Sequence, residues 1–129
     1  MTFYPRGFLG MLNLDTHILL YALQGDLKPS EKKILSSQPW SISAIVLWEL
    51  SKLSQLKRID LDLDDAEVIR TLSKIHTWPL SLEVCKNIHV LDFKSDPADE
   101  IIAATSLTFN IRLLTRDKKI LKSKIIPLA

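Results

Sequence analysis

The sequence predicts an α/β fold in which a mainly parallel sheet lies between layers of helices. Three observations support this prediction. The short run Met11–Leu14 has the composition of a strand and passes through Asp15 directly into an apolar segment of helical length. The run Ile111–Thr115 is the clearest strand in the sequence. Between them, runs of strand length alternate with runs of helix length, an arrangement that builds parallel sheets with helical crossovers.

The first half of the chain predicts two strands and three helices. The segment HILLYAL follows the first strand as a helix, and residues 29–36 form a second helix. Trp40–Ile42 is the second strand, and Ser43 can cap the next helix by accepting a bond from a backbone N–H group. We expect that helix to end near Lys57.

The second half predicts three helices and a final strand. One helix begins near Asp64, carries His76 on its apolar face and ends before Pro79, because proline interrupts helices. The segment LEVCKNIHVL forms a second helix, and ADEIIAATSLTF forms a third. The last strand and a short basic segment then complete the chain.

The composition indicates one globular domain, residues 11–129, after a leader of residues 1–10 without an assigned role; Met11 is an equal candidate for the start. Hydrophobic residues make up 47% and charged residues 25% of the chain, and the formal net charge of +2 does not by itself indicate a nucleic-acid partner. Cys85 is the only cysteine, which excludes an internal disulfide and a cysteine-rich zinc site and favours a cytoplasmic location. No apolar run approaches the roughly 20 residues of a membrane span.

Four carboxylates occupy positions at which an α/β fold places functional groups. Asp15 and Asp117 follow the first and last predicted strands, and sites in open α/β sheets form outside the carboxyl ends of the strands. Glu49 lies among apolar residues on the helix after the second strand, and Asp99 lies in the first turn of ADEIIAATSLTF. The two helical acids can therefore approach the same edge of the sheet.

Each of these acids also has an ordinary structural explanation. Asp15, Asp99 and Asp117 can start helices, where a negative charge interacts favourably with the helix dipole. Glu49 can pair with Lys52 on the helix surface. A shared site would account for all four acids together. Four carboxylates in one pocket repel each other unless a cation neutralises their charge. Hard divalent cations prefer oxygen ligands, so the pattern favours a metal site that acts on phosphates.

Four motifs carry a resemblance to a known family. They are LNLDTHILLYAL, ISAIVLWELSKL, DPADEIIAATS and LLTRDKKI, which occur in family order and with family-like spacing from about Met11 to the C-terminus. In these motifs the chain resembles the PIN domain, and specifically the small single-domain ribonuclease toxins of VapC type. The resemblance implies a three-layer α/β/α fold with a mainly parallel central sheet.

The same resemblance implies an activity and a site. The family's activity is Mg²⁺- or Mn²⁺-dependent endonuclease cleavage of RNA by metal-activated water, and its catalytic metal ligands map onto Asp15, Glu49, Asp99 and Asp117. Thr115 matches the Thr or Ser that stands two residues before the last acid, where it supports the ligands. Toxins of this type pair with an antitoxin encoded beside them and usually form homodimers.

Residues near these motifs have less specific assignments. Asp96 matches an acid common in the third motif, where it supports the ligands, and its place before a proline also suits a helix cap. Arg116, Lys118 and Lys119 can contact RNA phosphates, and a solvated basic face explains them equally well. Glu100 departs from the family pattern, in which arginine is frequent at this place.

Two other functions remain open at this point. One is a PIN fold that captures RNA or a protein without cutting it; the complete set of four acids favours an enzyme over this binding module. The other is a phosphotransfer or phosphatase domain, which typically needs a second acid soon after the first-strand Asp, and the segment DTHILL has none. We interpret His17 as a helix-start residue and Trp48 as part of the core.

Overall fold

The computed structural model of the protein describes residues 10–129 and contains a four-stranded sheet. The strands are β1 Leu12–Leu14, β2 Trp40–Ser43, β3 His76–Trp78 and β4 Arg112–Leu114. They lie in the order β3-β2-β1-β4, and every neighbouring pair is parallel. With the helices that cover it, the sheet forms a three-layer α/β/α fold. The predicted fold class is therefore confirmed.

Seven α-helices connect these strands within the described residues. They are α1 Thr16–Gln24, α2 Pro29–Leu35, α3 Ala44–Gln55, α4 Ala66–Ser73, α5 Leu82–Asn87, α6 Pro97–Phe109 and α7 Lys118–Leu121. Ser43 caps α3 as predicted, because its hydroxyl accepts a hydrogen bond from the Ile45 N–H group. Asn110 ends α6 in the left-handed conformation with φ of 52°. In this part of the chain no helix has the length and apolar character needed to span a membrane.

The central strand β1 is buried along its whole length, as expected for a parallel strand covered on both faces. Its single polar residue, Asn13, donates hydrogen bonds from Nδ2 to the Ile102 carbonyl at 3.0 Å and to the Ser106 hydroxyl at 2.9 Å. Both partners lie on α6. Buried polar groups of this kind are stable only when they are paired. The pairing therefore fixes α6, and with it Asp99, against β1.

One hydrophobic core joins the sheet to the helices. Its fully buried residues come from strands β1, β2 and β4 and from helices α1, α3, α6 and α7. They include Leu12, Leu14, Ile18, Leu19, Ile42, Val46, Leu50, Ile102, Leu113 and Ile120. Each such side chain contributes about 1.5–3 kcal/mol through removal of apolar surface from water. The rigid frame that results is what orients the strand ends.

Residues at the start of the chain lie outside this description. The predicted leader, residues 1–10, falls outside the described residues except for Gly10. The assignment of residues 11–129 to a single domain stays a prediction.

Two predictions about individual elements are wrong. The helix that was expected to include His76 ends at Ser73, and residues 76–78 instead pair with β2 as an edge strand. The run Ile75–Trp78 is rich in β-branched and aromatic side chains, which favour a strand. Trp48 lies on the outer side of α3 and is 58% exposed, whereas Val46 is fully buried. The apolar run in this helix is wider than its buried face.

Candidate active site

Two of the predicted acids follow parallel strands that are hydrogen-bonded neighbours. Asp15 comes directly after β1 and starts α1, and its Oδ1 accepts a hydrogen bond from the Thr16 N–H group at 2.7 Å. Asp117 lies three residues after β4 and starts α7, where its side chain accepts bonds from two backbone N–H groups. Since β1 and β4 run parallel in direct register, their carboxyl ends bring Asp15 and Asp117 to one edge of the sheet.

Thr115 joins these two strand ends. Its hydroxyl donates to Asp15 Oδ2 at 2.6 Å across the sheet and accepts a hydrogen bond from the Asp117 N–H group at 3.0 Å. The side chain is buried, so both bonds are shielded from water. Thr115 therefore fixes the orientation of one acid and the backbone of the other.

The partner of Glu49 is a residue that the sequence did not identify. The Thr16 hydroxyl, buried at the start of α1, donates a hydrogen bond to Glu49 Oε1 on α3. The predicted surface partner, Lys52, instead donates to Gln55. Glu49 is therefore turned toward the residue that follows Asp15, and the bond connects α1 to α3 at the site.

Asp99 enters the same region from the first turn of α6. Its Oδ2 accepts a hydrogen bond from the Ser95 hydroxyl at 3.0 Å. Burial raises the pKa of Asp99 to about 6, and the negative charges of Asp15, Asp117 and Glu49 act in the same direction. The electrostatic influence of all three acids on Asp99 indicates that the four predicted carboxylates share one region.

Asp15 is the most deeply buried of these acids. Burial raises its pKa, although the hydrogen bonds from Thr115 and Thr16 and the proximity of His17 oppose the shift. The charge of Asp117 raises the pKa further. The chain thus holds an acid in an environment that disfavours its ionised form, which is a common property of functional sites.

A pocket of about 200 Å³ opens at this edge. Its lining residues are Asp15, His17, Tyr21, Asp99, Arg116 and Asp117. Three of the four predicted acids therefore line the pocket. Glu49 is not among the lining residues; it is hydrogen-bonded to Thr16, the residue that follows Asp15. His17 and Tyr21 lie one turn apart on α1, so the four-residue spacing within DTHILLY was the available signal for their shared direction.

The other predicted residues occupy distinct surroundings. Asp96 is exposed and precedes α6 at the cap position, but its side chain makes no capping hydrogen bond. Lys118 and Lys119 are exposed on α7. Arg116 is instead held by Glu31 in an ion pair with an N–O distance of 2.6 Å. Glu100 Oε2 accepts a bond from the Ser95 N–H group, so it supports the loop before α6.

The pocket suits a hard divalent cation in its chemistry. Its carboxylate donors are the ligands that Mg²⁺ and Mn²⁺ prefer, and their mutual repulsion is relieved by a bound cation. Within residues 10–129, no three His, Cys, Asp or Glu side chains are grouped closely enough to hold one ion between them. Mg²⁺ commonly keeps several waters and takes only one or two carboxylates directly, so the donor set fits this mode of binding.

Comparisons with solved structures agree on the fold. The chain is similar to a chain of VapBC2 from Rickettsia felis bound to a DNA fragment from its promoter, with a TM-score of 0.71, 20% identity, and 92% of this chain and 97% of that chain covered. It is similar to a chain of a toxin–antitoxin complex from Klebsiella pneumoniae, with a TM-score of 0.66, 22% identity and coverage of 86% and 90%. It is also similar to a chain of FitAcB from Neisseria gonorrhoeae, with a TM-score of 0.63, 19% identity, and 92% of this chain and 96% of that chain covered.

No curated protein matches the chain. The description of the PIN domain matches residues 13–124, a range that includes the acids after β1 and β4 and the acids on α3 and α6. Because this match covers most of the chain, and the observed fold and acidic edge agree with it, the protein belongs to the PIN domain family.

Proposed function

We propose that the protein is a metal-dependent endoribonuclease that hydrolyses phosphodiester bonds of RNA and acts as the toxin of a toxin–antitoxin pair. One observation carries the proposal: Asp15, Asp99 and Asp117 line one pocket at the carboxyl edge of the sheet, and Glu49 is hydrogen-bonded to Thr16, the residue next to Asp15. Membership of the PIN family supports the same reaction class.

The residues of the site would have different roles in this reaction. Asp15, Asp99 and Asp117 would hold the cation directly or through its bound waters, with Thr115 keeping Asp15 in a fixed orientation. When bound, a divalent cation supplies Lewis acidity, which lowers the pKa of water and offsets charge on phosphate oxygens. Glu49, oriented by Thr16, would bind the cation too or would orient the attacking water and accept its proton.

The basic residues beside the pocket would contact the RNA backbone. Arg116 lines the pocket, and Lys118 and Lys119 are exposed on the adjoining helix α7. Positive side chains in this arrangement would bind phosphates on either side of the cleaved bond, and the binding would weaken as salt concentration rises.

The structural relatives suggest the protein partner. The similar structure from Klebsiella pneumoniae is a toxin–antitoxin complex, and VapBC2 from Rickettsia felis is bound to a DNA fragment from its promoter. We propose by analogy that this chain binds an antitoxin protein and forms a homodimer, because the fold is shared. Size measurements of the purified chain, alone and with the product of the neighbouring gene, test both assemblies.

Asparagine substitutions of the strand-end acids test the enzyme. Asp15→Asn and Asp117→Asn should each lower Mg²⁺-dependent RNA cleavage by roughly 100-fold or more, the range for loss of a group that stabilises transition-state charge. Both changes keep side-chain volume. Asp64→Asn, at an exposed acid far from the pocket, is the matched control and should cleave normally. Undiminished cleavage by both pocket variants would contradict the proposal.

A binding module is the second candidate function. The wide spacing of the acids in the described chain favours it, because no three of them already enclose an ion. Such a module would bind RNA but would not cleave it with Mg²⁺ or Mn²⁺. RNA binding by the wild-type chain, without cleavage under either metal, would support the module and exclude the nuclease.

A further inference from the structure

Arg116 is held rigidly at the wall of the acidic pocket. It lies in the loop between β4 and α7, directly between Thr115 and Asp117. Its Nε donates to Glu31 Oε2 at 2.7 Å and its Nη2 donates to Glu31 Oε1 at 2.6 Å. Its guanidinium carbon lies 4.1 Å from the centre of the Tyr21 ring. Two side chains from different helices therefore fix both the edge and the face of this group.

Glu31 is unusual for a carboxylate on a surface helix. It is only 6% exposed, and its Oε1 also accepts a hydrogen bond from the Lys28 N–H group at 2.8 Å. The hydrogen bonds from Arg116 are the largest cause that lowers the pKa of Glu31 to about 2. A buried carboxylate with this set of donors stays ionised and keeps its position. Glu31 is thus a fixed anchor rather than a flexible surface acid.

Within residues 10–129, the hydrogen bonds that hold the guanidinium come from Nε and Nη2, and Nη2 also donates to the Asp26 carbonyl at 3.4 Å. A side-on pair with a carboxylate uses the Nε and Nη2 edge, so Nη1 lies on the opposite edge. The Arg116 side chain is 31% exposed, and Arg116 and Tyr21 line the same pocket as Asp15, Asp99 and Asp117. A fixed cation in the wall of an acidic pocket fits an anion that also binds the metal, and a phosphodiester is such an anion.

We propose that Glu31 and Tyr21 are positioning residues that hold Arg116 as a fixed contact for the RNA phosphate next to the acidic pocket. The inference deepens the proposed ribonuclease function and depends on it. It separates Arg116 from Lys118 and Lys119, which are exposed and contribute positive charge without a fixed direction. The competing explanation is a purely structural pair that attaches α2 to the β4–α7 loop.

Binding measurements on the full chain distinguish these explanations. The probe is a fluorescent single-stranded oligoribonucleotide in EDTA, so that affinity is measured without cleavage. Arg116→Lys keeps the charge but loses the planar fork, and we expect about tenfold weaker binding with an unchanged salt dependence. Glu31→Gln should weaken binding several-fold, and the Glu31→Gln/Arg116→Lys double variant should bind no more weakly than Arg116→Lys alone. Such non-additivity is expected when one residue acts through the other.

The control is Glu67→Gln, the same substitution at an exposed ion pair outside the pocket, which should bind RNA like the wild type. Circular dichroism at the assay temperature establishes that each variant is folded. If Glu31→Gln fails to fold, Arg116→Lys and Tyr21→Leu still decide, and Tyr21→Leu should weaken binding several-fold.

The measured RNA binding and cleavage decide between these explanations. RNA affinity of Arg116→Lys within twofold of the wild type overturns the inference and favours the purely structural pair. A wild-type chain that neither binds nor cleaves RNA contradicts the ribonuclease proposal itself. Loss of cleavage in Asp15→Asn together with normal RNA binding by Arg116→Lys leaves the ribonuclease intact and rejects only the fixed-arginine contact.

Discussion

The chain has two regions that are dense in carboxylates, and they differ in how those groups are satisfied. The acidic run of residues 60–67 extends from the loop after α3 into the first turn of α4. It contains five exposed acids, Asp60, Asp62, Asp64, Asp65 and Glu67. Its hydrogen bonds are local. Asp65 caps α4 by accepting hydrogen bonds from the N–H groups of Glu67 and Val68. Asp62 accepts a hydrogen bond from the Asp64 N–H group. Nearby backbone N–H groups and the Arg70 side chain supply the partners of Asp62, Asp65 and Glu67.

The acidic pocket has partners that are far apart in the sequence. Asp15 accepts its hydroxyl bond from Thr115, and Glu49 accepts one from Thr16 on another helix. Burial and the neighbouring acids still raise the pKa of Asp99 to about 6. A carboxylate therefore has a structural role where neighbouring backbone N–H groups bind it. It indicates a functional site where folding brings several carboxylates together without enough positive charge to balance them.

The largest expected effect distinguishes the two regions by activity. Asp99→Ala should lower Mg²⁺-dependent RNA cleavage by roughly 100-fold or more, because it removes a proposed ligand. Its free energy of unfolding in EDTA should not fall, since the relief of repulsion from Asp15, Asp117 and Glu49 offsets the lost bond from Ser95. Cleavage rates and urea unfolding of one preparation measure both quantities.

Asp65→Ala is the matched variant in the acidic run and should show the reverse pattern. Loss of its cap lowers the free energy of unfolding by about 1 kcal/mol, and cleavage stays at the wild-type rate. If Asp65→Ala reduced cleavage as strongly as Asp99→Ala, the distinction between a structural and a functional acidic region would be wrong.

The sequence was sufficient to predict the fold and the convergence of the strand-end acids. Parallel strands that end in acids must bring those acids to one edge, so Asp15 and Asp117 followed from alternation alone. Glu49 and Asp99 were expected to approach that edge from the flanking helices, and the resemblance assigned all four acids as the family's metal ligands. Trp48 was misplaced because an apolar run was taken as a buried face, although helical periodicity puts it on the side opposite Val46 and Leu50.

Other parts of the site were not predictable, for a physical reason. The pairing of Arg116 with Glu31 joins residues 85 positions apart, and the bond from Thr16 to Glu49 joins residues 33 apart. The residues next to Glu31 and Glu49 in the sequence do not distinguish these two glutamates from other glutamates on helices. Such partners depend on the distance and angle between packed helices, and periodicity within one helix carries no information about that arrangement.

A further prediction concerns Glu31, a buried acid that is paired with Arg116. Glu31→Gln should lower the free energy of unfolding at pH 7 by roughly 2 kcal/mol, because it removes a buried charge-assisted pair. The pKa of Glu31 is lowered from 4.5 to about 2 in the folded protein. Its contribution is therefore full above about pH 4.5 and is lost as the pH falls toward 2. Urea unfolding of wild type and variant at several pH values should converge in acid; a difference that persists unchanged near pH 2 would contradict this origin.

The smallest expected effect comes from the corresponding ion pair in the acidic run. Glu67 contacts Arg70 one turn along α4, and their side chains are 77% and 57% exposed. Glu67→Gln should therefore lower the free energy of unfolding by about 0.5 kcal/mol or less, and high salt should remove most of that difference through screening. The effect of Glu31→Gln should resist salt because its pair is shielded. Equal losses at the two positions would mean that burial does not separate these glutamates, and that the anchoring of Arg116 is no firmer than an ordinary surface contact.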